Sequence, residues 1–470
     1  MTPRAHEDRP LAALIAPDVL ELLEEHPESI GPQTEELHPA DLADVAEALP
    51  EARVRAFLEA LPRERAAAVL EYLNEDLRTQ VLEALPAEDA AEIVAEMDPD
   101  ERADALEELD EDTADEILQE LEPEDKAETE RLLQYDPYTA GGLMTTEYVS
   151  VQESLTVEEA LRAVRAMARA GRREAMYTIY TVDDGGRLRG VLSLRELLAA
   201  PEGTRLTELA WGEVVTVEAD TAQEQVSQVT SNYDLVALPV VDADRRLLGV
   251  VTVDDVIDVI QEEQTEDAQK FGGMEALEEP YMQITLWQNV RKRGGWLAVL
   301  AVSEMLTASV MARYEDELGR VLLLSQFIPL IMSSGGNSGS QATSLIIRAM
   351  ALGEVTLRDW WRVVVRELPA GFLLGLLLGT LAMVRIVLWE RFGLYDYGPH
   401  HVLLALTVGL TLVGIVTIGS LTGSMLPFIL KRFGFDPASA SAPFVATLVD
   451  VSAISIYFSM AYLFLHGTML

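Results

Sequence analysis

Five apolar stretches crowd the C-terminal part of this 470-residue chain, and they limit what it can become more than any other feature. They run over about 294–312, 321–347, 367–389, 402–430 and 443–466. Each is long enough for a hydrocarbon core roughly 30 Å thick. Charge divides the chain at the same place. Residues 1–290 hold 22 of the 35 Lys and Arg and 68 of the 79 Asp and Glu, a net of −46. Residues 291–470 hold the other 13 and 11, a net of +2. The front is therefore soluble and acidic, and the back is a membrane domain. So acidic a front argues against nucleic acid as a partner and favours cations. Cysteine is absent, which removes disulfides, thiolate metal sites and a Cys nucleophile. The N-terminus lacks the apolar core of a signal peptide. The six His do not fall at metal-ligand spacing, and there is no P-loop or HExxH motif, so an enzyme is not expected.

The front is repetitive. Leu37, Leu49, Leu61, Leu73, Leu85, Met97, Leu109 and Leu121 recur at one constant spacing of a dozen positions. Many are followed by Pro or an acidic turn, as in "LPRER", "LPAED" and "MDPDE". Pro at the first helical position and acids in the first turn fit a helix N-terminus. Each unit predicts one short helix, too short to be stable alone. Stacked units would bury a continuous stripe, giving a superhelix over about 30–130.

Two similar half-units follow. "VDDGGRLRGVLSLRELL" (182–198) aligns with "VDADRRLLGVVTVDDVI" (241–257), each predicting strand, turn, strand and helix. They resemble a tandem pair of CBS domains, carried by Gly190, Ser193 and Glu196 in one half and Gly249, Thr252 and Asp255 in the other. In that family such a hydroxyl and acid hold a nucleotide ribose, so Ser193, Thr252 and Asp255 are candidate ATP contacts. A pair without nucleotide fits the sequence equally. Beyond it, Asp255, Asp258, Glu262 and Glu266 share one helix face in an acidic connecting segment that only Lys270 offsets. Such a face is either solvated or held by divalent ions, which suit all-oxygen ligands.

The membrane domain carries few charges. Arg291, Lys292, Arg293, Arg348, Arg358, Arg362, Arg366, Lys431 and Arg432 mark the inner ends of the spans, and Arg313, Arg320, Arg385 and Arg391 the outer ends. The soluble part then faces the cytoplasm and the C-terminus faces out. Asp450 is the one charged residue in 437–470. A carboxylate at bilayer depth is a functional candidate unless it is paired, here with Arg385, or protonated; Glu304 raises the same question. Pro329, just before "IMSSGGNSGSQATSLII" (331–347), and Gly335, Gly336 and Gly339 within it would break or loosen the helix. Irregular backbone at that depth must line protein or water. Its freed carbonyls, with Asn337, Gln341 and the Ser hydroxyls, would be hard oxygen ligands suited to an ion that keeps its water, such as Mg²⁺. Mn²⁺, Co²⁺ and Ca²⁺ stay open, as does a membrane-tethered CBS metal sensor without transport.

These parts together resemble the MgtE family of magnesium channels. The matches include "GGLMT" (141–145), "GGNSGSQAT" after Pro329, "MLPF" (425–428), "DPA" (436–438) and "PFVATLVD" (443–450). The resemblance implies a multi-domain chain. An all-α superhelical N domain (1–135) precedes an α/β tandem CBS pair (136–203 and 204–260). An acidic connecting helix and linker (253–290) then leads to a five-helix transmembrane domain (291–470). It implies a homodimer in the inner membrane that passes Mg²⁺ and is closed by cytosolic Mg²⁺. Asp450, Ala446, Asn337, Gly336 and Gly339 would line the pore. Asp100, Asp234, Asp255, Asp258, Glu263, Glu266, Asp267 and Asp436 would sense the ion, with Glu224 and Glu262 as further acids. Ala68, Ala222 and Ala442 stand where the family carries polar residues, and Glu304 where it carries a small or uncharged one.

Overall fold

The computed structural model describes residues 10–169, 175–277, 281, 284–314 and 322–468, in two compact units, Met1–Gln261 and Glu262–Leu470. Arg320, expected at an outer end, and Val321, expected to start a span, lie outside the described residues.

The first unit opens with α1 (Pro10–Glu25) and α2 (Ile30–Gln33). Eight short helices follow: α3 (Pro39–Ala48), α4 (Glu51–Glu59), α5 (Arg63–Glu71), α6 (Glu75–Ala84), α7 (Ala87–Val94), α8 (Pro99–Glu107), α9 (Glu111–Glu120) and α10 (Pro123–Leu132). Their first residues keep the spacing of the leucines without exception. The repeated leucines sit just past each helix, and Leu49, Leu61, Leu73, Leu85, Met97, Leu109 and Leu121 are all buried. Pro39, Pro99 and Pro123 occupy the first helical turn, where a missing N–H costs nothing.

Packing doubles the period. α3 contacts α5, α5 contacts α7 and α7 contacts α9, while α4, α6, α8 and α10 form a second series. Polar bonds obey the same rule. Glu47 accepts a hydrogen bond from the Asn74 backbone N–H at 3.2 Å, and two helices further on Glu71 accepts one from the Asp98 N–H at 3.1 Å. Arg78 pairs with Glu101 at 3.5 Å, and again two helices on Arg102 pairs with Asp125 at 3.5 Å. The structural unit is thus a helix pair.

Two three-stranded sheets come next. β1 (Tyr148–Gln152) runs parallel to β2 (Ala175–Val182), which pairs antiparallel with β3 (Leu188–Ser193); α11 (Val157–Arg169) and α12 (Leu194–Ala199) complete this half. After α13 (Leu206–Leu209), β4 (Val217–Glu218), α14 (Gln223–Tyr233), β5 (Ala237–Val241), β6 (Leu247–Thr252) and α15 (Val253–Phe271) repeat the pattern. Asp183 closes the first hairpin by accepting from the N–H groups of Gly185 and Arg187, and Asp242 does the same from Asp244 and Arg246. The two hairpins then bond to each other: Leu188 donates to the Arg245 carbonyl and Leu247 to that of Gly186.

The second unit holds the end of α15 and then α16 (Leu286–Ala312), α17 (Leu322–Ser325), α18 (Ile328–Ala351), α19 (Trp360–Arg391), α20 (His401–Arg432) and α21 (Ala442–Leu465). Among the described residues four helices are long and apolar enough to cross a membrane: Leu286–Ala312, Leu357–Arg391, His401–Arg432 and Ala442–Leu465. α18 is 24 residues long but carries the polar string. α20 is the most buried of the apolar four, with Leu404, Val408, Leu412 and Ile415 fully enclosed.

Candidate functional site

The broken helix expected at residues 331–347 does not occur. α18 runs unbroken through Gly335, Gly336 and Gly339, and Pro329 sits in its first turn, where proline is tolerated. The glycines instead give up their side chains to let backbones approach. A Cβ on Gly339 would lie 2.8 Å from Val445, and one on Gly335 2.8 Å from Ile415 and Val449. Gly423 of α20 meets the Gly339 carbonyl so closely that a Cβ there would stand 2.0 Å from its oxygen. Small residues at helix interfaces are the means by which membrane helices pack without a hydrophobic driving force between them. The carbonyls are therefore engaged in the helix rather than freed.

The polar side chains of α18 sort into two sets. Ser338, Ser340 and Thr343 bind α18 to its neighbours. Ser338 hydrogen-bonds Ser420 at 2.7 Å, Ser340 donates to the Ala442 carbonyl at 3.2 Å, and Thr343 lies 2.8 Å from the Gly423 carbonyl. Ser333, Asn337 and Gln341, spaced by four, form an exposed polar stripe, with Asn337 donating to Ser333 at 3.3 Å. α18 and α21 are antiparallel: Gly335 meets Val449 and Ser340 meets Ala442. That register sets Asp450 level with Ser333 and Ser334. Gly336 touches Ala446, one turn before Asp450, where a Cβ would come within 3.1 Å of the Ala446 side chain. Arg385 does not neutralise Asp450, because its guanidinium stacks 4.1 Å over the Trp389 ring. Asp450 has no ion-pair partner among the described residues.

A second polar site lies inside the first unit, where α8 and the start of α15 bring carboxylates together. Burial pushes Glu101 up to about 8, with the like charges of Asp104, Glu71 and Asp255 adding and Arg78 opposing. Burial likewise raises Glu71 to about 7, reinforced by Asp98, and Asp104 to about 7, against Arg78. Desolvation raises Asp255 as well, with Asp254 and Asp258 adding, although the Thr252 hydroxyl bonded to it works the other way. Arg78, buried and bonded to Glu108, is the main counter-charge. Asp100 is buried beside Glu101 on α8. Among the described residues no three carboxylates or imidazoles converge at metal-ligand geometry, so this is no closed cage. A set of partly desolvated carboxylates short of positive charge is nonetheless a donor set for a hard divalent cation. Glu71, Glu101 and Asp104 were not predicted. They are three acids in a front crowded with them, and only their gathering beside Arg78 and Asp255 distinguishes them.

The remaining sequence candidates have separate roles. Ser193 and Glu196 form a capping box at the start of α12, and Thr252 donates its hydroxyl to Asp255 at the start of α15, so both hydroxyl–acid pairs serve as helix caps. Asp234 ends α14 with φ of +50°, a left-handed cap that Asp tolerates. Glu224 is exposed in the first turn of α14, and Ala222 is its N-cap, without a side-chain bond. In the second unit Asp436 accepts from the Lys270 ammonium at 2.7 Å, and Glu266 pairs with the same ammonium. Burial alone would lower the Lys270 pKa; the bonds from Asp436 and Glu266 prevail and hold it above the ordinary ammonium range. Phe271 packs against Ile347, Ala438 and Ala440, docking the end of α15 beside the ends of α18 and α20. Glu262, Glu263 and Asp267 lie on this same stretch of α15.

Apolar helices joined to an acidic helical repeat and a CBS pair define a multi-domain membrane protein. Family models agree. The MgtE intracellular N domain matches residues 37–138, CBS domains match 140–203 and 206–262, and the MgtE divalent cation transporter domain matches 328–460. The magnesium transporter MgtE of Thermus thermophilus is 44% identical over 343 residues, covering 72% of this chain and 73% of that protein. The magnesium transporter MgtE of Enterococcus faecalis is 33% identical, covering 72% of each. The solved soluble part of a magnesium transporter, 32% identical, superposes with a TM-score of 0.50 over 54% of this chain and 99% of that one. The chain belongs to the MgtE family.

Proposed function

We propose that this protein is a Mg²⁺-selective channel for uptake, closed when cytosolic Mg²⁺ rises. The observation that carries the reading is the exposed Ser333–Asn337–Gln341 stripe, on a helix joined by glycine contacts to the helix that bears Asp450. Neutral oxygens beside one carboxylate suit an ion that holds its hydration shell, and Mg²⁺ dehydrates reluctantly. The relatives' names support the choice of ion. The stripe lies on an outer face of the subunit, and a polar face at bilayer depth requires water or protein against it. A homodimer with five spans per subunit, α18 among them, encloses it. The excess of inner Arg and Lys puts the soluble part in the cytoplasm and the C-terminus outside.

The acidic cluster supplies the regulation. Asp100, Asp255 and Asp258, with Glu71, Glu101 and Asp104, would hold divalent ions whose charge lets the carboxylates stay together. In the second unit Glu262, Glu263, Glu266, Asp267 and Asp436 are further candidate sensors, as are Asp234 and Glu224 in the second CBS half. When ion is withdrawn the carboxylates repel and the packing loosens. ATP at Ser193, Thr252 and Asp255 requires those side chains to exchange their capping bonds for the ribose.

The test is Mg²⁺ flux into liposomes carrying the purified protein. Flux that stops, or loses preference for Mg²⁺, in Asp450→Asn supports the pore. Absence of flux from the unaltered protein at low Mg²⁺ refutes it in favour of a sensor that does not transport.

A further inference from the structure

Glu304 is the one carboxylate of α16, and the sequence leaves it without a task. The structure supplies its neighbour. α16 packs against α21. Near one end Trp296 packs at a tilt against Phe444 and donates to the Ser441 hydroxyl at 3.0 Å; near the other Tyr314 stacks on Phe458 with ring centroids 4.5 Å apart. The helices are therefore parallel, with a residue offset of 148 at the first contact and 144 at the second. The mean offset, 146, carries Glu304 onto Asp450. At a rise of about 1.5 Å per residue, Glu304 stands roughly 12 Å from the Trp296 level and roughly 15 Å from that of Tyr314. This is the middle of the span.

The side of the helix is equally defined. Thr307 is the only buried residue of α16, and its hydroxyl makes no hydrogen bond among the described residues. Glu304 lies one turn before it and is itself exposed, beside the packed face. Met305, roughly opposite Thr307 around the helix, is 65% exposed and faces lipid. A carboxylate at this depth demands water or a counter-charge. No ion pair to Glu304 occurs among the described residues.

We propose that Glu304 reaches the ion path at the level of Asp450 and gives Ca²⁺ a blocking site there that Asp450 alone does not. This rests on Asp450 lying in the path. Ca²⁺ takes six to eight oxygens in flexible geometry and exchanges water for carboxylate readily, whereas Mg²⁺ gives up its water reluctantly. A second carboxylate therefore strengthens Ca²⁺ binding more than Mg²⁺ binding.

The absence of cysteine makes a direct experiment available, because an introduced thiol is the only one in the chain. In full-length protein in liposomes, Glu304→Cys and Asp450→Cys react with a membrane-impermeant cationic thiosulfonate, and Met305→Cys does not. In the same liposomes Ca²⁺ inhibits Mg²⁺ flux, and Glu304→Gln raises the Ca²⁺ needed, relative to the Mg²⁺ half-saturation, about tenfold, since Ca²⁺ affinity follows ligand charge. An unreactive Glu304→Cys beside a reactive Asp450→Cys, or an unchanged Ca²⁺/Mg²⁺ ratio in Glu304→Gln, overturns the inference and leaves the pore standing. An unreactive Asp450→Cys overturns the pore and this inference with it.

Discussion

Titrating Mg²⁺ into the full-length protein in detergent should displace protons, and the number is set by the partly desolvated acids of the first unit. Glu71 and Asp104 are raised to about 7 and Glu101 to about 8, each chiefly by burial. At pH 7 the first two hold roughly half a proton each and the third roughly nine-tenths. Asp104 is exposed and Glu101 keeps 36% of its side-chain surface in water, so screening trims their shares. Between about one and two protons are then available at pH 7, and almost none at pH 9.5. Metal binding needs ionised carboxylates and releases what they hold. Calorimetry in two buffers of different ionisation enthalpy counts them. The sign follows from pKa values that folding raises: protonation supports the packed unit. That support is complete below the unfolded values, near 4, and is lost as pH rises through 7 to 8. Without Mg²⁺ the cytosolic part should therefore melt higher at pH 6 than at pH 8.5, and saturating Mg²⁺ should erase most of the difference. Release below about 0.3 proton at pH 7, or release that does not fall toward pH 9.5, refutes the linkage.

Three substitutions probe the packing. Gly423→Ala puts a Cβ against the Gly339 carbonyl and 2.7 Å from the Thr343 hydroxyl, where backbone cannot yield. It should cost about 1–3 kcal/mol or more, read as a lowered melting temperature in detergent. Gly294→Ala, inside α16 with nothing within 4 Å, should hold or slightly raise that temperature, because Ala is the better helix former. Arg78→Met removes the buried partner of Glu101 and Glu108 and should destabilise the cytosolic part by about 3 kcal/mol in urea.

How much of this was legible in sequence varies by element. The short repeated helices were, because a leucine past each helix and a proline at the next start are local signals. The pairing of helices was not. Glu47 and Glu71 obey the two-helix rule, but they are indistinguishable from the acids around them. Asp450 was legible because it stands alone in an apolar span. The glycines of α18 misled for a physical reason: glycine is a poor helix former when judged alone, and only the backbones of α20 and the side chains of α21 reveal a surface cut to receive them. Lys270 reads as a weak offset to many acids, yet it links Glu266 to Asp436, far along the chain.

The doubled period of the N-terminal helices gives the superhelix a reading frame. Glu47–Asn74 and Glu71–Asp98 are one bond written twice, as are Arg78–Glu101 and Arg102–Asp125. Inserting a single repeat helix would move every later carboxylate into the opposite series and part it from its donor. Inserting a pair would restore each bond one step along. The array can thus lengthen or shorten only in whole pairs, so the reach of this arm changes in discrete steps.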